Sequence, residues 1–150
     1  MILGIDPGSA ETAFCLINQN YEIQSAGKLV NADMIGHISD MAFTVAAIES
    51  IQSYGMSVGR EVFETCYMIG RLQQRIHALG GTFALIPRPE YTRRICGVGK
   101  VNDAILRQAL LLRFGGDKRG EPLNLLKGCT DKRSAFAVAV YKLDLMKSGR

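Results

Sequence analysis

The sequence contains no tryptophan, only two histidines and four cysteines, and it has no long hydrophobic run. The cysteines, Cys15, Cys66, Cys96 and Cys129, are widely spaced and form no C-x-x-C pair, which argues against a zinc site and predicts reduced, mostly buried thiols. No apolar stretch approaches the ~20 residues that cross a bilayer. The start MILGID has neither the basic region nor the apolar length of a signal peptide, so we expect a cytoplasmic protein.

The length and composition predict a single folded domain over residues 1–150. At 47% hydrophobic and 21% charged residues, the chain has enough apolar surface to form a core. The charge is unevenly placed, because residues 1–86 carry four Lys/Arg against eight Asp/Glu, whereas residues 87–133 carry eleven against five. This asymmetry favours a polyanionic partner such as nucleic acid, although a basic stretch can also be only a solvated face. The basic positions concerned are Arg88, Arg93, Arg94, Lys100, Lys118, Arg119, Lys127, Lys132 and Arg133.

The apolar pattern predicts an α/β fold in which a mixed five-stranded sheet is flanked by helices. Three strands come first, with a turn at Gln19 and Asn20, and two more follow; they are Ile2–Asp6, Thr12–Asn18, Tyr21–Leu29, Met41–Glu49 and Thr82–Pro87. Residues at helical spacing predict helices over Ser57–Leu79, Asp103–Phe114 and Asp131–Lys147, the last two capped by Asn102 and Thr130.

Three acids stand where predicted strands or helices begin or end. Asp6 ends the first strand, Glu49 ends the fourth, and Asp131 opens the last helix. Each has a simple alternative explanation, since Asp6 can begin a turn, Glu49 can face water, and Asp131 can favour a helix amino terminus. A carboxylate cluster without histidine or thiol ligands is typical of Mg²⁺ or Mn²⁺ sites. The sequence therefore raises the hypothesis of a metal site at one edge of the sheet.

Four motifs resemble those of RuvC-type Holliday junction resolvases. They are GIDPGSAETAF, AAIES, CGVGKVND and TDKRSAFAVAV, and they follow one another in the family's order along nearly the whole chain. The resemblance implies an RNase H-like fold, a homodimer, and cleavage of branched DNA by two Mg²⁺ or Mn²⁺ ions held by Asp6, Glu49 and Asp131. The segment YGMSVGREVFETCYMIGR makes the chain more similar to the phage-encoded members.

The chain departs from the family pattern at two positions. The last helix of the bacterial family carries two aspartates in a D-x-x-D pattern, and the second of them corresponds here to Ser134. Ser134 can hold a metal-bound water. Glu64 is a possible substitute ligand, although an acid one turn into a helix is more often a solvated surface residue. The loop lysine that the resemblance implies is replaced by Asp103, with Lys100 three residues earlier as a possible phosphate contact.

Further expectations concern the contact with the junction, the dimer interface and the alternative functions. Tyr54, in the loop after Glu49, is a candidate for stacking on a splayed base, or else an ordinary loop aromatic. The resemblance implies a dimer formed through the long helix, with Met56, Met68 and Leu72 as contacts. The alternatives are an RNase H-fold nuclease acting on RNA and a non-catalytic junction-binding module. A phosphate loop of the actin-like ATPases also resembles DPGS, but those proteins need a second domain.

Overall fold

The computed structural model describes residues 1–149, whose strands and helices alternate as β-β-β-α-β-α-β followed by three helices. The strands are β1 (Ile2–Pro7), β2 (Glu11–Ile17), β3 (Ile23–Val30), β4 (Val45–Ser50) and β5 (Thr82–Pro87). The helices are α1 (Asn31–His37), α2 (Arg60–Ala78), α3 (Arg88–Cys96), α4 (Asp103–Phe114) and α5 (Thr130–Lys147), with short 3₁₀ turns at Ile38–Asp40 and Asn124–Leu126. The predicted mixed five-stranded sheet with helices on both faces is confirmed. No helix within residues 1–149 is long and apolar enough to cross a membrane.

The sheet has the order β3-β2-β1-β4-β5 and places β1 at its centre. β1 pairs antiparallel with β2 and parallel with β4, and β5 extends the parallel half. Because side chains alternate along a strand, each central strand contributes to two cores. Leu3 and Ile5 pack with α1 and α2 on one face, whereas Ile2 and Val45 pack with α5 on the other.

The turn after β1 begins later than the sequence suggests. Asp6 and Pro7 are still paired with Ala13 and Thr12 on β2, so Asp6 is a strand residue and does not begin the turn. Asn31 fixes the turn itself, because its amide group donates to the carbonyl oxygens of Gly8 (3.0 Å) and Ser9 (3.1 Å).

Helix α5 lies directly against β1, because small residues face each other at the contact. A Cβ added at Gly4 would lie 1.9 Å from the carbonyl oxygen of Ala135 and 2.8 Å from Cβ of Ala139, so a larger residue would force the helix away. Gly4 is two residues before Asp6, and Ala135 follows Ser134. The close contact therefore places the first turn of α5 beside the carboxyl end of β1.

Several predicted boundaries are wrong by a few residues. β4 begins at Val45 and not at Met41, because Thr44 turns both its backbone N–H and its hydroxyl to the Met1 carbonyl before the ladder starts. α2 begins at Arg60, after Gly59 in an extended conformation. The cap at Asn102 is confirmed, since its side chain accepts a hydrogen bond from the Ile105 N–H at 2.9 Å.

The cap predicted at Thr130 is wrong. Thr130 is already helical, and the preceding Cys129 makes no side-chain cap hydrogen bond. The Thr130 hydroxyl instead accepts a hydrogen bond from Arg133. α3 was not predicted at all, because its sequence RPEYTRRIC has a proline in the first turn and few apolar residues.

The orientation of α2 corrects two further expectations. Met68 and Leu72 are spaced four residues apart on the face that packs against the sheet, and they are 2% and 0% exposed, so neither is a dimer contact. Cys66 lies on the outer face and is exposed, as are its neighbours Phe63 and Tyr67. Of the four thiols, only Cys15 is fully buried, so the prediction of mostly buried thiols is wrong.

Candidate active site

Two of the predicted acids lie side by side at the carboxyl ends of the parallel strands. Ile5 of β1 is in register with Ile48 of β4, so the next residues, Asp6 and Glu49, are neighbours across the two strands. Both side chains point to the face covered by α5, because they share the parity of Ile2 and Val45. Both are half-buried. The edge of the sheet thus holds a pair of adjacent carboxylates.

Helix α5 adds a third acid and a hydroxyl to this edge. Ser134 is 1% exposed, and its hydroxyl lies close enough to the Asp6 carboxylate to lower the pKa of that group. Asp131 lies one turn earlier, close enough for its charge to act on Asp6. Lys28 of β3 binds Asp131 at 2.9 Å and also reaches Glu11 at 3.1 Å. Asp131 and Ser134 therefore lie near the Asp6–Glu49 pair, with a lysine on the Asp131 side.

Arg88, at the start of α3, lies on the opposite side of the same group. Its NH1 atom donates to the Ser134 hydroxyl (3.0 Å) and lies 3.8 Å from Oε1 of Glu49. Its NH2 atom donates to Asp103 of α4. Tyr91, one turn later on α3, donates from its hydroxyl to Oε2 of Glu49 at 2.6 Å. Glu49 is thus held by two residues of α3.

The electrostatics of the pair favour a bound cation. Burial raises the pKa of Asp6, and the charges of Glu49 and Asp131 raise it further, while Arg88 and Ser134 only partly oppose them. Burial also raises the pKa of Glu49, against the hydrogen bond from Tyr91 and the charge of Arg88. Ionising two neighbouring buried carboxylates is costly, but a cation between them stabilises the ionised state of both.

The donor set fits one hard divalent ion better than a ready-made multi-ion cage. Carboxylate oxygens are the ligands that Mg²⁺ and Mn²⁺ prefer. In the part of the chain that the structure describes, no three Asp, Glu, His or Cys side chains converge into a metal-ligand cluster. Asp131 is paired with Lys28, and Glu49 lies 3.8 Å from Arg88. Asp6 and Glu49 are the residues that would hold an ion, with Asp131 joining them on release from Lys28.

Glu64 lies apart from this group. It forms an ion pair with Arg60 at 2.7 Å on the first turns of α2. Within residues 1–149 no hydrogen bond or ion pair connects it to Asp6, Glu49 or Asp131. The contacts of the molecule therefore give no support to Glu64 as a metal ligand.

The basic residues predicted to bind DNA fall into two groups. Exposed side chains without a described role in the fold are Arg93 and Arg94 on α3, and Lys100, Lys118, Arg119 and Lys127 in the loops. The others are engaged within the protein: Arg88 in the acidic group, Lys132 with the Leu125 carbonyl, and Arg133 with Thr130. The first group is exposed and can meet a phosphate backbone outside the acidic group.

Tyr54 lies in the β4–α2 loop and is 64% exposed. Its φ of 49° is in the left-handed region, which is unfavourable for a tyrosine, and Gly55 follows with a φ of 78°. Tyr54 and Arg93 share the wall of a shallow cavity of about 330 Å³. A planar ring beside an exposed guanidinium suits contact with an unpaired base and its phosphate.

Sequence reasoning missed the roles of Tyr91, Lys28 and Asn31, and it placed Arg88 on a DNA-binding surface. These residues come from elements that are distant in sequence from their partners; Arg88 and Ser134, for example, are 46 positions apart. A local signal existed only for Arg88, which directly follows β5 at the same edge of the sheet as Asp6 and Glu49.

The mixed five-stranded sheet with its flanking helices matches the RNase H-like fold, and the chain has a RuvC-like resolvase fold. One similar solved structure is RuvC of Thermus thermophilus in complex with a Holliday junction substrate, with a TM-score of 0.74 and 11% identity over 99% of this chain and 95% of that chain. Another is the fowlpox virus resolvase in complex with Holliday junction DNA, with a TM-score of 0.61 and 10% identity over 96% of this chain and 99% of that chain. No protein-family model matches the sequence, and neither does any curated protein.

Proposed function

We propose that this protein is an endonuclease that cleaves Holliday junctions or other branched DNA in a reaction that depends on Mg²⁺ or Mn²⁺. The observation that carries the proposal is the adjacency of Asp6 and Glu49 at the carboxyl ends of β1 and β4, with Asp131 and Ser134 of α5 beside them. The similarity in fold to structures solved with junction DNA supports the substrate class.

The reaction is hydrolysis of one phosphodiester. The oxygen of a water molecule bonds to phosphorus and the P–O3′ bond breaks, so a proton and the released electron pair end on the 3′ oxygen and a 5′-phosphate remains. A divalent ion supplies a more acidic water and polarises a phosphate oxygen. Asp6 and Glu49 would hold that ion, and Tyr91 keeps the Glu49 carboxylate in one orientation through its 2.6 Å hydrogen bond. The protein need supply no covalent nucleophile.

Substrate binding falls to the exposed basic residues and Tyr54. Arg93 and Arg94 project from α3, the same helix whose first turn enters the acidic group through Arg88. A backbone bound along α3 would therefore lead towards Asp6 and Glu49. Tyr54, beside Arg93, would stack on a base that the branch point leaves unpaired, a contact worth ~1–3 kcal/mol.

We also propose a homodimer, because a four-way junction has twofold symmetry and a C2 dimer presents two sites to two strands. Because two of the expected dimer contacts are buried, we place the dimer interface on the outer face of α2, where Phe63 and Tyr67 are 52% and 68% exposed. Met56, in the loop before α2, is 71% exposed and remains a candidate contact. A shallow groove of about 620 Å³ continues this face towards α1; it is lined by Ile35, Cys66, Tyr67, Gly70, Arg71, Gln74, Arg75 and Ala78.

The test is cleavage of three labelled substrates: a four-way DNA junction, a linear duplex of the same arm sequence, and an RNA–DNA hybrid. We expect cleavage of the junction alone, and only with Mg²⁺ or Mn²⁺. Equal cutting of the hybrid would instead support a nuclease acting on RNA. Junction binding without cleavage under every metal condition would support the non-catalytic junction-binding module, and either result would contradict the proposal.

A further inference from the structure

One arginine contacts both positions at which this chain departs from the resolvase pattern. The NH1 atom of Arg88 donates to Ser134, which stands where the resemblance implies a second helix acid. Its NH2 atom donates to Asp103, which stands where the resemblance implies a loop lysine. A single guanidinium thus contacts a hydroxyl where the resemblance implies an acid and a carboxylate where it implies a base. The three residues come from α3, α4 and α5, so local sequence does not account for their meeting.

The surroundings of Arg88 leave little room for a second divalent ion. On this side of Asp6 the groups are the Glu49 carboxylate, the Tyr91 and Ser134 hydroxyls and the guanidinium itself. Its NH1 atom lies 3.8 Å from Oε1 of Glu49, and its NH2 atom holds the Asp103 carboxylate. An ion placed between Glu49 and Ser134 would face a permanent positive charge at close range. It would also find no second carboxylate ready to bind it, because Asp103 is paired with Arg88.

We propose that Arg88 is a catalytic residue that supplies, at a fixed position, the positive charge a second divalent ion would supply, so that each site takes a single ion. This proposal rests on the nuclease function proposed above. It replaces the expectation of two ions per site with one ion held by Asp6 and Glu49.

The chemistry of arginine suits this task. A guanidinium stays charged at all working pH values and presents five N–H donors in a planar fork that matches phosphate oxygens. Arg88 uses three hydrogen bonds, to Ser134, Tyr91 and Asp103, which fix its plane while leaving donor capacity. As the P–O3′ bond breaks, Arg88 donates hydrogen bonds to the oxygen atoms that gain negative charge. It transfers no proton, and the 3′ oxygen takes its proton from solvent.

The first measurement is the number of bound ions, which does not depend on activity. Mn²⁺ is titrated into the protein and counted by the loss of its free electron paramagnetic resonance signal. We expect one ion per chain for the wild-type protein and for Ser134→Asp, because Arg88 would pair with the new carboxylate. The double variant Ser134→Asp/Arg88→Ala has the acid without the arginine, and we expect two ions per chain.

The second measurement is junction cleavage at saturating Mn²⁺. We expect Arg88→Ala to cut about 100-fold more slowly, in the range for losing one fixed charge-stabilising donor, while its Mn²⁺ affinity is equal or higher. Arg88→Lys keeps the charge without the fork and should recover part of the rate. Arg60→Ala, which removes an exposed arginine paired with Glu64 on α2, is the matched control and should cut at the wild-type rate.

The outcomes separate the two proposals. Two ions of similar affinity in the wild-type protein, or wild-type cleavage by Arg88→Ala, would overturn the role of Arg88. So would a parallel loss of Mn²⁺ affinity and rate in Arg88→Ala that extra Mn²⁺ restores, because Arg88 would then only position Glu49. If the wild-type protein cuts no junction, the proposed nuclease function fails. The ion counts of wild type and double variant would still decide whether Arg88 excludes a second ion.

Discussion

At each end of helix α5 an arginine contacts carboxylates, but the two ends differ in how much of the negative charge the protein's own cations neutralise. Near its end, Asp144 accepts hydrogen bonds from both terminal nitrogens of Arg113 (2.7 and 2.8 Å) and from the Tyr21 hydroxyl (2.7 Å). Near its start, Asp6, Glu49 and Asp131 share Arg88 and Lys28. The first network is complete within the protein. The second holds more negative charge than its own cations neutralise.

The pKa directions express the same difference. Burial alone would raise the pKa of Asp144, but the hydrogen bonds of Arg113 and Tyr21 outweigh it and hold that pKa below its usual value. At the other end burial and like charges raise the pKa of Asp6. A network that stabilises the fold satisfies its acids internally, whereas a network that binds a cation leaves them unsatisfied until the cation arrives.

The largest expected effect follows from Asp6→Asn. A divalent ion contributes several kcal/mol to phosphodiester cleavage, and about 1.4 kcal/mol is tenfold in rate, so losing its ligand should slow junction cleavage by roughly 10³-fold or more. Junction binding in Ca²⁺ or EDTA should be unchanged or tighter, because a charge that repels phosphate is removed. Retention of near wild-type cleavage would place the reacting site elsewhere.

The same variant should be more stable than the wild-type protein in EDTA. It removes a half-buried carboxylate from like-charged neighbours, and a gain of ~1 kcal/mol corresponds to a Tm increase of about 2–4 °C for a chain of this size. Mg²⁺ should raise the Tm of the wild-type protein and not that of the variant. A lower Tm in EDTA would show that Asp6 is satisfied by the protein, as Asp144 is, and would remove the difference between the two ends of α5.

Asp144→Asn is the matched change at the other end and should act on stability alone. Hydrogen bonds to charged groups contribute about 1.5–3 kcal/mol, so we expect a Tm loss of roughly 4–8 °C with unchanged cleavage at 25 °C.

Because the folded-state pKa of Asp144 is lowered, its contribution to stability is present above the unfolded pKa and is lost as pH falls through the folded value. The Tm difference between wild type and variant should therefore shrink below about pH 4. A difference that grew in acid would contradict this assignment.

We expect a smaller effect, on DNA affinity, from changing the exposed arginines of α3, the helix that also carries the partly buried Arg88. Reversing Arg93 and Arg94 to glutamate should lower the affinity for junctions and duplexes alike by about tenfold, and it should reduce the slope of log affinity against log salt by about 2. Lys132→Ala is the control, because Lys132 already donates to the Leu125 carbonyl. An affinity independent of salt would exclude this surface as the DNA-binding site.

The sequence predicted the features that local chemistry determines. α4 was placed at Asp103–Phe114 because Asn102 caps it and Gly115 ends it. The edge position of Asp6 and Glu49 followed from two apolar runs that each end in an acid. α3 was missed because Pro89 and four charged residues in nine resemble a loop, and its helical state depends on burying Tyr91. Sequence-distant contacts such as that of Arg88 with Ser134 required the assembled fold.

The smallest predicted effect tests Lys28, the cation on the outer side of the acidic group. Lys28 is partly exposed and binds Asp131 at 2.9 Å, so an ion that recruits Asp131 must first displace it. Exposed ion pairs are worth about 0.2–1 kcal/mol, so Lys28→Ala should lower the Mg²⁺ concentration for half-maximal cleavage by up to about fivefold, with little change in Tm. Arg113→Ala, which frees a carboxylate at the far end of α5, should lower the Tm without changing the Mg²⁺ requirement. If Lys28→Ala instead needs more Mg²⁺, the lysine orients Asp131 for the ion and does not compete with it.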